Sequence, residues 1–111
     1  MEYIMPNQEQ ENTNIKKIEL DGYTFTVDTD LLDDVEAFEY IDRIENKGQV
    51  AGIVPLIKFL IGDKGYDDMK SHFAKLDAET HKDTPGYKGR FRVSKLNEVY
   101  VAIINKFDPK G

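Results

Sequence analysis

The acidic residues Asp28, Asp30 and Glu39 have the spacing of oxygen ligands in a calcium-binding loop. Such a loop also needs an oxygen ligand at its fifth position and a glycine at its sixth. This chain has Leu32 and Asp33 at those two positions. Short acidic side chains before a run of apolar residues are typical of helix caps. The pattern therefore predicts capping carboxylates at the start of a helix, and no calcium site.

Other residue types that could bind a metal or catalyse a reaction are scarce. The two histidines, His72 and His81, are nine residues apart, which fits neither a helical ligand pair nor a zinc finger. The chain contains no cysteine, which excludes disulfides and thiolate metal sites. The segment from Gly62 to Gly65 is too short for a phosphate-binding loop and lacks the Gly-Lys-Ser/Thr ending. We therefore predict a protein that is not an enzyme and has neither metal nor cofactor.

Charge, in contrast, is separated along the chain. Residues 28–45 hold eight acidic residues and one basic residue, whereas residues 82–95 hold five basic residues and one acidic residue. Each run is explained in the simplest way by a solvated surface. The alternative is that the acidic and basic surfaces meet, between copies of the chain or against a partner. Head-to-tail contact between copies would produce rings or open filaments.

The basic run also interleaves aromatic side chains with arginines, a combination favoured at protein interfaces. The same combination could stack on single-stranded RNA. The net charge of the chain is −6, which opposes general binding of nucleic acids. We predict that the residues of the acidic and basic runs that contact other proteins are Asp33, Asp34, Glu36, Tyr87, Lys88, Arg90, Phe91 and Arg92.

The elements that would position these residues form one domain of a 111-residue chain. Residues 1–14 are largely polar and rich in amides, so we predict a flexible tail followed by a single globular domain over residues 15–111. Asp21 and Gly22 separate two alternating apolar runs, which predicts a β-hairpin. An isolated hairpin is marginally stable, so its apolar face is expected to pack on the helix that follows.

About four helices are predicted after the hairpin. The first has an apolar stripe of Leu31, Val35, Phe38 and Ile41, and the second begins near Pro55 and ends at residues 62–65. The third carries the stripe Tyr66, Met69, Phe73 and Leu76, and the last is capped by Ser94. A long loop at residues 77–92 separates the last two. The predicted fold class is mainly α with an N-terminal β-hairpin, a small α+β domain.

This order of elements resembles the tail assembly chaperones of long-tailed, siphovirus-type bacteriophages and prophages. The similarity covers about residues 18–107. It rests on residues 27–39, 54–63 and 65–70, and on the final helix that begins near Ser94. In that family an acidic helix, a short apolar helix and a leucine-glycine-acid turn occur in order. Here the turn reads Leu60-Ile61-Gly62-Asp63, and the polar tail and the loop at residues 77–92 depart from the family pattern.

The resemblance implies a non-enzymatic phage tail assembly chaperone. Such a protein binds the tape-measure protein and tail-tube subunits and self-associates. It acts in the cytoplasm of the bacterial host and is not part of the mature virion. The family contributes no catalytic residues. The alternative is a small acidic regulatory protein that binds or mimics nucleic acid, through the basic loop or the acidic helix.

Overall fold

The structure, a computed structural model, describes residues 14–107. The predicted tail, residues 1–14, lies outside this part of the chain except for Asn14. The described chain folds in the order β1 (Ile15–Leu20), β2 (Tyr23–Asp28), a 3₁₀ helix (Thr29–Asp33), α1 (Val35–Glu45), a second 3₁₀ helix (Val50–Gly52), α2 (Ile53–Thr80) and α3 (Val93–Phe107). The predicted hairpin and the small, mainly helical α+β class are confirmed.

The hairpin turn has the conformation that its sequence predicts. Strands β1 and β2 pair antiparallel with Leu20 opposite Tyr23, which leaves a two-residue turn. Both turn residues have positive φ, 50° at Asp21 and 83° at Gly22. Aspartate tolerates this region and glycine adopts it without a steric cost. The turn therefore fixes the register that places the apolar side chains on one face.

That apolar face packs on α2 and α3, not on the helix that follows it in the chain as predicted. Ile18 and Val27 are buried, and β2 contacts α2 while β1 contacts α3. The remaining core side chains come mainly from α2 and α3, among them Ile57, Met69 and Ile103. The two longest helices thus form the base on which the hairpin lies.

Residues 14–107 contain three α-helices where about four were predicted. The predicted second and third helices are joined in α2, which is kinked at Gly62 (φ 84°, ψ 162°). That backbone conformation is almost restricted to glycine. The expected stop at residues 62–65 is therefore observed as a kink at Gly62, where two helical segments meet within α2.

Helix α1 has a different orientation from the one its apolar stripe predicts. Val35 and Phe38 were expected to face the core, but their side chains are 70% and 66% exposed. The reason is a break at Asp34, whose extended backbone (ψ 144°) separates the 3₁₀ helix from α1. Leu31 and Val35 therefore do not belong to one continuous helix. The core-facing side of α1 centres on Ala37.

The observed loop is shorter than the predicted loop at residues 77–92. Helix α2 continues to Thr80, so the non-helical connection covers residues 81–92. No helix within residues 14–107 is both long and apolar enough to cross a membrane.

Candidate protein-interaction site

The predicted interaction residues lie in two separate places. Asp33, Asp34 and Glu36 are exposed at the start of α1. The other five belong to the connection at residues 81–92, which we call the basic loop. No hydrogen bond or ion pair within the described chain joins the acidic segment 28–45 to this loop. The opposite charges of one copy therefore do not neutralise each other.

Asp77, on the last turns of α2, organises the basic loop. Its Oδ2 accepts a hydrogen bond from the hydroxyl of Tyr87 at 2.5 Å and another from the backbone N–H of Arg90 at 3.0 Å. Its Oδ1 accepts from Nε of Arg92 at 2.9 Å. The side chain of Asp77 is only 12% exposed. One carboxylate thus connects the helix to three positions of the loop.

These contacts lower the pKa of Asp77 well below the ordinary value of a carboxyl group. The hydrogen bond from Tyr87 is the main cause, followed by the hydrogen bond from Arg92. Both favour the ionised form because a carboxylate is a stronger acceptor than a carboxylic acid. A lowered pKa in the folded state means that ionisation of Asp77 stabilises the fold at neutral pH.

Asp77→Asn is expected to destabilise the protein at pH 7 and to do so less at acid pH. The stabilisation from Asp77 is complete above the carboxyl pKa of the unfolded chain, about 4, and is lost progressively as the pH falls below it. Urea unfolding followed by circular dichroism at pH 7 and at acid pH measures the difference. Glu79→Gln, at an exposed residue of the same helix, is the control. If Asp77→Asn lowers the free energy of unfolding by the same amount at both pH values, this role is contradicted.

Phe91 is a packing residue of the basic loop. Its ring stacks on Phe73 of α2, with centroids 5.7 Å apart, and lies 6.2 Å from the ring of Tyr66. Tyr87 is half-buried, and its ring stacks on His81 at 4.2 Å. One face of each ring is therefore covered by a neighbouring ring of the same chain. Both aromatic side chains thus help to hold the loop on the helix, and their contact with a partner stays a prediction.

Gly89 sets how closely the loop approaches α2. A Cβ atom at this position would lie 1.8 Å from the carbonyl oxygen of Ala74 and 2.7 Å from its carbonyl carbon. These are backbone atoms inside a helix, so they cannot move aside. Gly89 lies within the loop that the sequence predicts, but no local sequence pattern indicates its contact with α2.

The basic run at residues 82–95 keeps fewer free cations than its sequence suggests. Arg92 is paired with Asp77, and Lys95 pairs with Asp21 of the hairpin turn and with Glu98. Arg90 has an exposed side chain, with its guanidinium 5.6 Å from the ring centroid of Tyr87. Within the described chain, Lys82, Lys88 and Arg90 form no ion pair and keep their charge available.

A groove of about 660 Å³ lies between the basic loop, α2 and the hairpin turn. Phe73 and Leu76 supply apolar surface, and Lys82 and Arg90 supply charge at its edge. Its other lining residues include the two ion pairs Arg92–Asp77 and Lys95–Asp21. We call this feature the loop groove.

The acidic residues of α1 have local structural roles of their own. Oδ1 of Asp34 accepts from the backbone N–H of Glu36 at 2.8 Å, and Asp28 caps the preceding 3₁₀ helix in the same way. The predicted capping role is thus confirmed at Asp28, whereas the cap at Asp34 was not predicted. Glu36 accepts a hydrogen bond from the hydroxyl of Tyr40, also at 2.8 Å. These bonds leave the carboxylates exposed, so their charge still acts on an approaching partner.

Val35 and Phe38 lie between these carboxylates. Both are surface residues, although the sequence pattern predicts that they face the core. They are three positions apart on one helix, so their side chains are neighbours. Asp34, Glu36 and Glu39 surround them in the sequence, all exposed. We call Val35, Phe38 and the three carboxylates the α1 surface. The sequence signal was misread because the two residues continue an apparent apolar stripe that the break at Asp34 interrupts.

Comparison of the chain with protein-family models, with curated proteins and with solved structures finds no match. The resemblance to tail assembly chaperones consequently rests on the sequence patterns described above.

Proposed function

We propose that this chain is a non-enzymatic phage tail assembly chaperone. It binds the tape-measure protein and tail-tube subunits, self-associates, and acts in the cytoplasm of the bacterial host without entering the mature virion. The sequence resemblance supplies the identity of these partners. The support from the described residues is a surface suited to binding proteins.

The observation that carries the proposal is the exposure of Val35 and Phe38 on an acidic helix. A phenylalanine that is 66% exposed beside a valine that is 70% exposed leaves apolar area in water. Covering such area releases free energy of about 25 cal/mol per Å². Aromatic residues within a charged rim are common at the centres of protein interfaces. A partner with apolar and basic side chains complements this surface.

The charges suit a contact that must form quickly and later dissociate. Exposed carboxylates and cations accelerate encounter through long-range attraction, yet each exposed pair contributes little to affinity. A chaperone that leaves before assembly ends needs this combination. Complexes of this chain should therefore weaken as the salt concentration rises, because salt screens exposed charges.

The tape-measure protein of the phage or prophage that encodes this chain provides the test. The tape-measure protein, produced alone in bacteria, is expected to aggregate, and co-production of this chain should keep it in the soluble fraction as a complex. Size-exclusion chromatography at low and high salt then measures the complex and its salt dependence. A small acidic protein of similar mass, co-produced in the same way, controls for expression effects.

Two results would contradict the proposal. One is a tape-measure protein whose solubility is unchanged by this chain, with no complex on the column. The other is retention of labelled DNA or RNA by the purified chain on a filter at low salt that is lost at high salt. That second result would favour the alternative function, a regulatory protein that binds nucleic acid.

A further inference from the structure

We propose that the α1 surface of one copy docks in the loop groove of a second copy, with Phe38 as the central inserted side chain. The inference rests on the proposed function, in which copies of the chain associate, and it assigns the residues that make the contact. Partners other than this chain would then bind elsewhere on the assembly.

The loop groove has the size and lining that an inserted aromatic side chain requires. Its volume of about 660 Å³ falls within the range of roughly 300–1,000 Å³ found for ligand pockets. Leu76 provides apolar contact inside it, and Phe73, which is 3% exposed, lies at its base. The two internal ion pairs hold its walls. The groove is preformed because Asp77 and Phe91 fix the basic loop on α2.

The α1 surface presents its two apolar side chains on a rigid helix. Phe38 and Val35 project from a helix that is fixed at both ends. Asp34 caps its start, and Glu45 at its last turn accepts a hydrogen bond from Tyr100 of α3 at 2.5 Å. A rigid helix presenting two exposed apolar side chains loses little entropy when it docks.

Charge selects this pairing over contact between like surfaces. The α1 surface carries the carboxylates of Asp34, Glu36 and Glu39, and two α1 surfaces would repel each other. The loop groove offers Lys82 and Arg90, which have no acidic partner within the described chain. Of its three carboxylates, Asp21 and Asp77 are ion-paired, which leaves Glu79. Cations at the edge of an apolar groove thus meet carboxylates around an apolar centre.

The two surfaces share no residue, and the proposed contact is heterologous. Each copy can use its α1 surface toward one neighbour and its loop groove toward another. Repetition of such a contact produces a closed ring or an open filament, depending on the rotation between copies. A filament of this kind is suited to coating an elongated partner.

Two variants that each remove one half of the contact test the proposal. Phe38→Ser alters the α1 surface, and Arg90→Glu alters the loop groove while keeping the backbone bond from residue 90 to Asp77. In sedimentation velocity runs at low salt, the wild-type chain is expected to form large species. Each variant alone should weaken self-association by roughly 30-fold, the effect typical of a central interface residue.

Mixing the two variants gives the decisive result. Arg90→Glu retains an intact α1 surface and Phe38→Ser retains an intact loop groove, so one functional contact remains between unlike copies. The mixture should form a one-to-one dimer and nothing larger. An interface that used the same surface on both copies could not produce this outcome, because each pair would contain a damaged half.

Phe107→Ser and Lys16→Glu are the matched controls. Phe107 is exposed on another helix, and Lys16 is exposed on β1, so the two changes repeat the loss of an aromatic ring and the reversal of a charge. Both controls should associate like the wild-type chain, and thermal melting should show that all four variants fold.

Monomeric wild-type chain at low salt and high concentration would overturn the proposal. So would a mixture of the two variants that stays monomeric while the wild-type chain assembles. Either result leaves the proposed binding of the tape-measure protein to its own test, since solubilisation of that protein is measured independently of self-association. Loss of solubilisation with dimer formation intact would instead contradict the function and keep the contact.

Discussion

Phe73→Ala is expected to lower the free energy of unfolding by about 3–5 kcal/mol, the range measured for removal of a buried phenylalanine ring. The side chain of Phe73 is 3% exposed. Its ring lies 5.6 Å from that of Tyr23 in the hairpin and 5.7 Å from that of Phe91 in the basic loop. Phe73 therefore joins three parts of the chain, and the loss equals a large share of the 5–15 kcal/mol typical of a folded domain.

Urea unfolding followed by circular dichroism measures this loss, with Phe107→Ala as the control. Phe107 is 39% exposed at the end of α3, so the same substitution there should cost far less. Two variants of equal stability would show that the ring of Phe73 is not a central packing residue. The Phe73→Ala variant should also lose the loop groove at a lower urea concentration than the one that unfolds the whole chain. The reason is that Phe91 would lose the ring on which it stacks.

The hairpin and most helix positions could be predicted because their signals are local. The turn at Asp21 and Gly22 needs positive φ in adjacent residues, and the sequence supplies residue types that adopt it. Glycine at position 62 signalled a change of direction correctly, but whether a helix stops or only bends there depends on packing on both sides. The count of three helices instead of four follows from that distinction.

The orientation of α1 could not be predicted because it depends on a single backbone angle. A periodic stripe from Leu31 to Ile41 fits a helix that starts near Asp28 as well as it fits a shorter one. The extended conformation of Asp34 interrupts the stripe and turns Val35 and Phe38 outward. Residues predicted to be core thus became the candidate contact surface.

The basic loop illustrates a second limit, which is contact between residues distant in sequence. Five basic residues at positions 82–95 indicate a charged surface, yet Arg92 is neutralised by Asp77, fifteen positions before it. Neither this pairing nor the stacking of Phe91 has a local signature. The sequence predicted where the charge is, and the structure shows which part of it is available.

Gly89→Ala is expected to destabilise the protein by about 1–3 kcal/mol and to detach the basic loop from α2. The added Cβ would overlap the backbone of Ala74, and forcing extra atoms into a packed contact has a cost in this range. Because the helix cannot move, the loop must shift, and the bond from the Arg90 backbone to Asp77 should be lost with it. The free energy of unfolding from urea titration checks the first effect.

Hydrogen exchange of the Arg90 amide checks the second effect, since it should accelerate in Gly89→Ala. Gly65→Ala is the matched control. Its new Cβ would lie 3.2 Å from Cβ and Cγ1 of Ile61, a far looser approach than the one at Gly89, and alanine is favoured in a helix by about 1 kcal/mol over glycine. Gly65→Ala should therefore cost much less stability than Gly89→Ala. Equal stability of the two variants would mean that the loop can move away from α2 without loss, and the loop groove would then not be a preformed site.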